Sequence, residues 1–296
     1  MATYYDWIMK SFKGSAPNTA IENAANELLK DSGQRSLPIS LKIVAEHINL
    51  EPRPIYVQEG TKYGYLDVLD KQLRIFLRTK DGKVPRKKTT EFYRTKFSYA
   101  HELIHALHFD RTSKPPVRIA PIDDRREERL CNLGAQYLIL PKQMVLNVEN
   151  SISLDNVVDI VEKLSDLADV SFWMAMVSIF DYELIEARNR GVILSRMCHG
   201  LAGRGPVKVR CIFSRFFDQK GKSKMLIPPY KGLEDLAEDW SLVRFFQKTS
   251  IDNKVKPMKF RNEILNLNGI NFAATGMHKK VKGGSYVWTS FDALEF

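Results

Sequence analysis

Cysteine is scarce in this chain: Cys131, Cys198 and Cys211 are an odd number without C-x-x-C spacing. That excludes a disulfide framework and a cysteine metal cluster, and fits reduced thiols in a cytoplasmic protein. Long apolar runs are missing too. No stretch approaches the roughly 20 residues that span a bilayer. The start, Met1 to Asp6, has no basic segment followed by an apolar core, so neither a membrane span nor a signal peptide is expected. A phosphate loop is also lacking, because Gly221-Lys222-Ser223 would need glycine where Phe216 stands. Histidine is rare, six in 296 residues, yet three of the six fall between His101 and His108.

What is present describes a globular protein with ample core, 44% hydrophobic and 27% charged. The length suits one large domain or two to three small ones. The net charge of +10 is uneven. Lys71 to Lys96 holds ten Lys/Arg against Asp81 and Glu91, and Gly191 to Phe296 holds eighteen against nine. These two basic regions flank a mildly acidic middle and can steer an acidic protein or nucleic acid. A solvated loop is the simpler reading of the first.

The stretch Ala100-His101-Glu102-Leu103-Ile104-His105-Ala106-Leu107-His108 carries the chemistry. On a helix, residues four apart share a face, so His101 and His105 can aim both imidazoles at one point. Glu102, turned by about 100°, can reach a water held there. This is the H-E-x-x-H pattern of a zinc hydrolase, two nitrogen ligands beside a carboxylate base. Chance alone also produces so short a pattern, so the flanking chain matters.

A helix is expected over Asn18 to Lys30, capped by Asn18 or Thr19, and a second after Ser40 with Leu41, Ile43, Val44 and Ile48 inward. His47 lies beside that face, packed or at the surface. Ile55 and Val57 lead into two strands, Gly64–Leu69 and Leu73–Leu77, joined at Asp70-Lys71-Gln72. Such a sheet edge can accept an extended peptide as a further strand. Glu91 to Phe109 is the long helix with the histidines. Pro115, Pro116 and Pro121 make 111–122 a connector, after which Asp123-Asp124 can cap a helix over Arg125 to Leu140.

That last helix offers a third metal ligand. Glu128, twenty-three residues after His105, allows a turn and an antiparallel return, and His₂Glu is a standard catalytic zinc set. Asn132, one turn on, can hold a ligand as an outer partner. Glu127 competes with Glu128, but has Cys131 one turn on. His108 shares the histidine face yet lies about 10.5 Å along the axis from His101. With metal–nitrogen bonds of about 2 Å, it is expected to support the site from outside the ligand set, to contact substrate, or to serve structure alone.

Two segments resemble a known family. Arg94-Thr95-Lys96-Phe97-Ser98-Tyr99-Ala100-His101-Glu102-Leu103-Ile104-His105 is similar to the Arg-rich, Phe-Thr-Leu-Ala-His-Glu-Leu-Gly-His stretch of the ImmA/IrrE metallopeptidases. Glu128-Arg129-Leu130-Cys131-Asn132-Leu133-Gly134-Ala135-Gln136-Tyr137-Leu138-Ile139-Leu140-Pro141 resembles that family's Glu-x-x-Ala-Asn-x-Phe-Ala-x-x-Leu-Leu-Met-Pro helix. The resemblance covers about residues 20 to 190. It implies zinc on His101, His105 and Glu128, with Glu102 as the catalytic carboxylate. It further implies a regulatory protease that cuts a helix-turn-helix repressor. Three positions depart from the family. Ile104 stands where it usually has Gly, which should narrow the approach to the metal. Gly134 replaces Phe, removing an aromatic anchor, and Cys131 replaces Ala.

Beyond Pro141, a helix is expected over Ser153 to Leu167. Its acidic stripe, Asp155, Asp159, Glu162, Asp166 and Asp169, is a solvated face or a dock for the basic regions. Ser171 can cap a following helix, Phe172 to Arg190. This pair resembles a helix-turn-helix, but Phe172-Trp173-Met174-Ala175-Met176-Val177 suits packing and not a DNA groove. Gly200 to Gly205 marks a boundary. After it come strands around 207–213 and 225–227, a helix over Leu233 to Lys248, a hairpin at Asn268-Gly269, and a closing strand after Gly283-Gly284. Phe213, Phe216, Phe217, Trp240, Phe246 and Trp288 read as core. Cys198, His199 and His278 lack nearby metal partners.

The expected fold is therefore α+β. A zincin-like metallopeptidase domain occupies 1–142, a helical segment 143–199, and a small α+β module 200–296, regulatory or sensory in role. The expected function is zinc-dependent endopeptidase, with Glu102 moving the proton and Tyr99, His108 or Tyr137 as oxyanion donor. The partner is a protein substrate. Rival readings are a catalytically silent binding regulator of the same fold, and a nucleic-acid binder using the basic regions.

Overall fold

The computed structural model describes residues 3–198 except 61, 150, 155, 186, 188 and 189, and then 208–217, 223–224, 259–267, 270–281 and 284–293. It is a mixed α+β protein of two compact units. One comprises Met1–Asn150 and Lys163–Glu183; the other comprises Ser151–Glu162 and Leu184–Phe296. The units interleave along the chain, unlike the three consecutive segments drawn from the sequence. Among the described residues, no helix is long and apolar enough to cross a membrane.

The first unit begins with α1 (Tyr4–Ser11), α2 (Pro17–Asp31) and α3 (Leu41–His47). Pro17 opens α2 with Ala16 before it, so neither Asn18 nor Thr19 caps that helix; Asn18 accepts from Arg129 instead. In α3, Leu41 and Val44 are buried, whereas Ile43 is 44% exposed and is not part of the inner face. His47 is exposed.

Three strands follow, β1 (Ile55–Val57), β2 (Gly64–Leu69) and β3 (Gln72–Arg78), in the order β1-β3-β2. Asp70 and Lys71 both have positive φ, the geometry of a two-residue hairpin turn that follows strand twist, so Gln72 already pairs with Leu69. Leu73, Ile75 and Leu77 point inward while β2 remains an edge.

Helix α4 (Thr90–His105) starts where the Thr89 hydroxyl accepts the Phe92 N–H. It ends earlier than the sequence suggested. Ala106–His108 form one 3-10 turn, His108 Nδ1 donates to the His105 carbonyl, and Phe109 pairs with Arg118 across β4 (Phe109–Asp110) and β5 (Val117–Arg118). Helix α5 (Asp124–Ile139) is capped by Asp123, whose carboxylate accepts the Arg126 N–H. Helix α6 (Lys142–Val148), the second half of α7 (Val157–Ala168) and α8 (Phe172–Asp181) complete the unit.

Helices α2, α4 and α5 pack together, and Ile104 and Gly134 meet at their contact. A methyl group on Gly134 would lie 3.0 Å from both Cγ atoms of Ile104 and from Ile21 Cγ1. Ile104 is fully buried. It therefore does not narrow the approach to the metal, as the sequence suggested. Its side chain occupies the space that Gly134 leaves open.

Helix α8 stops at Asp181, short of Arg190, because Glu183 takes a left-handed backbone and Arg190–Cys198 forms strand β6. Of the acidic stripe, Asp166 pairs with Lys88 at 3.4 Å; Asp155 lies outside the described residues.

The second unit holds the first half of α7 and an antiparallel sheet of β6, β7 (Lys208–Phe217), β8 (Ser223–Lys224), β9 (Lys259–Leu267), β10 (Ile270–Val281) and β11 (Gly284–Ala293). The strand order is β8-β7-β6-β11-β10-β9. Leu267 pairs with Ile270, as a hairpin at Asn268-Gly269 requires. Those two turn residues, Gly283, His199, 200–205, 225–227 and the expected helix 233–248 with Trp240 and Phe246 lie outside the described residues.

Candidate metal centre

Three ligand side chains converge where α4 faces α5. His101 Nε2 and His105 Nε2 are 2.9 Å apart, and the Glu128 carboxylate reaches the first through Oε2 at 3.2 Å and the second through Oε1 at 3.5 Å. Tetrahedral metal bonds of about 2.0–2.1 Å place ligand atoms about 3.3 Å from each other. The observed separations fit one cation at their centre. The side chain of Glu128 is 49% exposed, so the point opens to solvent on its side.

The two imidazoles differ in their hold on a proton. Burial, then the charge of His105, pushes the His101 pKa down to about 4, leaving a lone pair free. Asn132 hydrogen-bonds the His101 side chain, as its place one turn beyond Glu128 suggested. At His105, Nδ1 lies 2.8 Å from Glu127 Oε1, and since a carboxylate only accepts, that nitrogen carries the proton. Nε2 is thereby the free donor. Burial would lower the His105 pKa, but Glu127 and the other carboxylates outweigh it and raise it, an attraction for positive charge that a cation also satisfies.

Glu127 is held in turn by Arg118, which contacts both its oxygens. Although burial works against its charge, hydrogen bonds from His105 and Arg118 bring its pKa down to about 2. Glu127 is thus no rival for the ion. It orients His105, the arrangement usual behind a metal-bound imidazole.

His108 is completely buried. Its Nδ1 donates to the His105 carbonyl at 3.0 Å, so Nε2 accepts from the Tyr4 hydroxyl at 2.8 Å. Burial lowers its pKa to about 4. Nδ1 comes only within 4.0 Å of Glu127, and the ring lies against Tyr4 and Trp7. His108 supports His105 from behind and does not face a substrate. With His105 and Cys131 it forms a second group of potential ligands. Burial raises the Cys131 thiol well above its usual pKa, so that group lacks a ready thiolate.

Glu102 is 6% exposed, and burial pushes its pKa up to about 7, against the pull of His105 and Lys62. Gly64 of β2 passes beside it: a methyl there would lie 3.0 Å from Glu102 Oε1 and 3.3 Å from Leu77 Cδ2. The edge strand therefore fixes where this carboxylate points.

The three expected oxyanion donors all have other partners or are buried. The Tyr99 hydroxyl donates to the Pro52 carbonyl, Tyr137 stacks on Tyr182 near Glu22, and His108 is sealed in. The sequence reading missed Gly64, Arg118 and Tyr4. Each acts through a contact outside its own element, without local signature, although the Glu127-Glu128 pair, about 100° apart on a helix, hints at two carboxylate roles. No family model matches this chain, and no curated protein matches it.

Proposed function

We propose that this chain is a zinc-dependent endopeptidase of zincin-like fold, acting in the cytoplasm on a helix-turn-helix repressor. The observation that carries the reading is the convergence of His101, His105 and Glu128 at 2.9–3.5 Å beside the buried carboxylate of Glu102. The substrate class comes from the ImmA/IrrE resemblance. His101, His105 and Glu128 would hold the ion, which when bound supplies Lewis acidity to the scissile carbonyl and to a water.

The remaining work falls to side chains of this chain. Glu102 accepts the proton of the attacking water at a carboxylate oxygen and returns it to the departing amine nitrogen as the C–N bond breaks. A pKa near 7 suits a group that must both take and give a proton, and a neighbouring cation lowers it toward full ionisation. Asn132 and Glu127 keep the two imidazoles aimed. Ile104 lies in the core, which removes one reason to expect a silent regulator.

The test uses purified protein, a helix-turn-helix repressor encoded beside it, and zinc analysis. About one zinc per chain and chelator-sensitive cleavage are expected. Glu102→Gln keeps the zinc and loses at least ~10²-fold in rate, the scale of a general base. Undiminished cleavage by that variant would overturn the role of Glu102.

A further inference from the structure

We propose that Arg78 and Arg94, lying over the Tyr63 ring, form with the adjacent Lys62 a subsite for an acidic side chain of the peptide substrate. This rests on the peptidase reading above. The Arg78 and Arg94 guanidiniums lie 4.5 Å and 4.3 Å from the centre of the Tyr63 ring. Stacking on one ring offsets part of the cost of holding two like charges together. The backbone fixes the group, since the Arg78 N–H donates to the Tyr63 carbonyl at 2.9 Å and the Arg78 side chain donates to the Gly60 carbonyl. Glu91 stands 3.9 Å from Arg94 and already accepts the Lys80 N–H, so it is poorly placed to neutralise both guanidiniums. Tyr63 is 46% exposed, and Lys62 is exposed beside it.

The cluster also has the right place. Lys62 and Tyr63 directly precede Gly64, which packs on Glu102. Arg94 lies seven residues before His101, so it shares the histidine face of α4 about 10.5 Å along the axis. An extended peptide advances about 3.3 Å per residue. A residue roughly three positions from the bond at the metal centre therefore meets the cluster. Guanidiniums stacked by their faces keep N–H edges for a carboxylate. Part of the basic run 71–96 thus gains a role beyond solvation.

Two measurements on the zinc-loaded full chain test this. The first digests a mixed-sequence peptide library and reads the cut sites by mass spectrometry. Asp or Glu should be enriched roughly fivefold at one position two to four residues from the cut, the scale of two or three exposed ion pairs. In the Arg78→Gln/Arg94→Gln variant the enrichment should fall toward one. Cutting without acidic enrichment, or enrichment unchanged in the variant, would overturn the subsite and leave the peptidase reading standing.

The second measures fluorescence polarisation of a labelled alanine-rich peptide, with a Glu pair or a Gln pair, on Glu102→Gln protein. Tighter binding of the Glu peptide, lost in the arginine variant and weakened by salt, supports the subsite even if no library peptide is cut. In that case only the peptidase reading falls. Equal binding of both peptides, or arginine-dependent binding of a short single-stranded DNA in place of the Glu peptide, would overturn the proposal.

Discussion

The two nitrogens of His105 face opposite kinds of surroundings. Nε2 looks toward His101 and the half-exposed Glu128, where an ion and a substrate can enter. Nδ1 looks toward Glu127, 6% exposed, backed by Arg118 and His108. Two adjacent glutamates on one helix thus divide the work by exposure. The open carboxylate can exchange partners, while the closed one is tied by ionic hydrogen bonds and cannot. A ring gripped firmly on one side presents its other side with little reorganisation.

The strongest way to break this contrast is on the open side. Glu128→Ala should remove a ligand and weaken zinc binding by more than the ~10–100-fold typical of losing an outer partner. Unchanged zinc content by atomic absorption would move the third ligand elsewhere. On the closed side, acid should act first. His108 is neutral when folded, with its pKa lowered to about 4 from 6.5. Its contribution is complete above pH ~6.5 and lost as pH falls toward 4, on the order of 3 kcal/mol. Urea midpoints across that window should therefore fall less steeply in His108→Gln, whose amide can both donate to His105 and accept from Tyr4.

A smaller effect is expected from Glu127→Gln, which keeps the shape but removes the charge. Zinc affinity should drop ~10-fold or somewhat more, with Glu128 untouched; a competition titration against a chromophoric chelator reads it. Away from the site, Gly134→Ala should cost least. Crowding of Ile104 and Ile21 at 3.0 Å is opposed by about 1 kcal/mol of helix propensity. The net loss in thermal unfolding should be about 1 kcal/mol or less.

Much of the geometry of the candidate metal centre was legible because helical spacing is local. The face shared by His101 and His105 follows from 3.6 residues per turn, and the placing of Glu128 and Asn132 from the same rule on α5. The β2–β3 hairpin was legible from turn residues between apolar runs. What escaped depends on contacts between distant segments. No spacing rule announces that Tyr4 meets His108, that Arg118 reaches Glu127, or that Gly64 borders Glu102. Helix ends escaped as well. The apolar pattern of α8 runs on past Asp181, but strand pairing by Arg190–Cys198 overrides it.

The Ile104–Gly134 contact bears on how such chains diverge. The branched side chain on one helix fills the space that glycine leaves on the other, and changing either alone would leave a void or a clash. Such positions are epistatic. Scoring them one at a time misses that both side chains share a single space, whereas scoring them as a pair takes it into account.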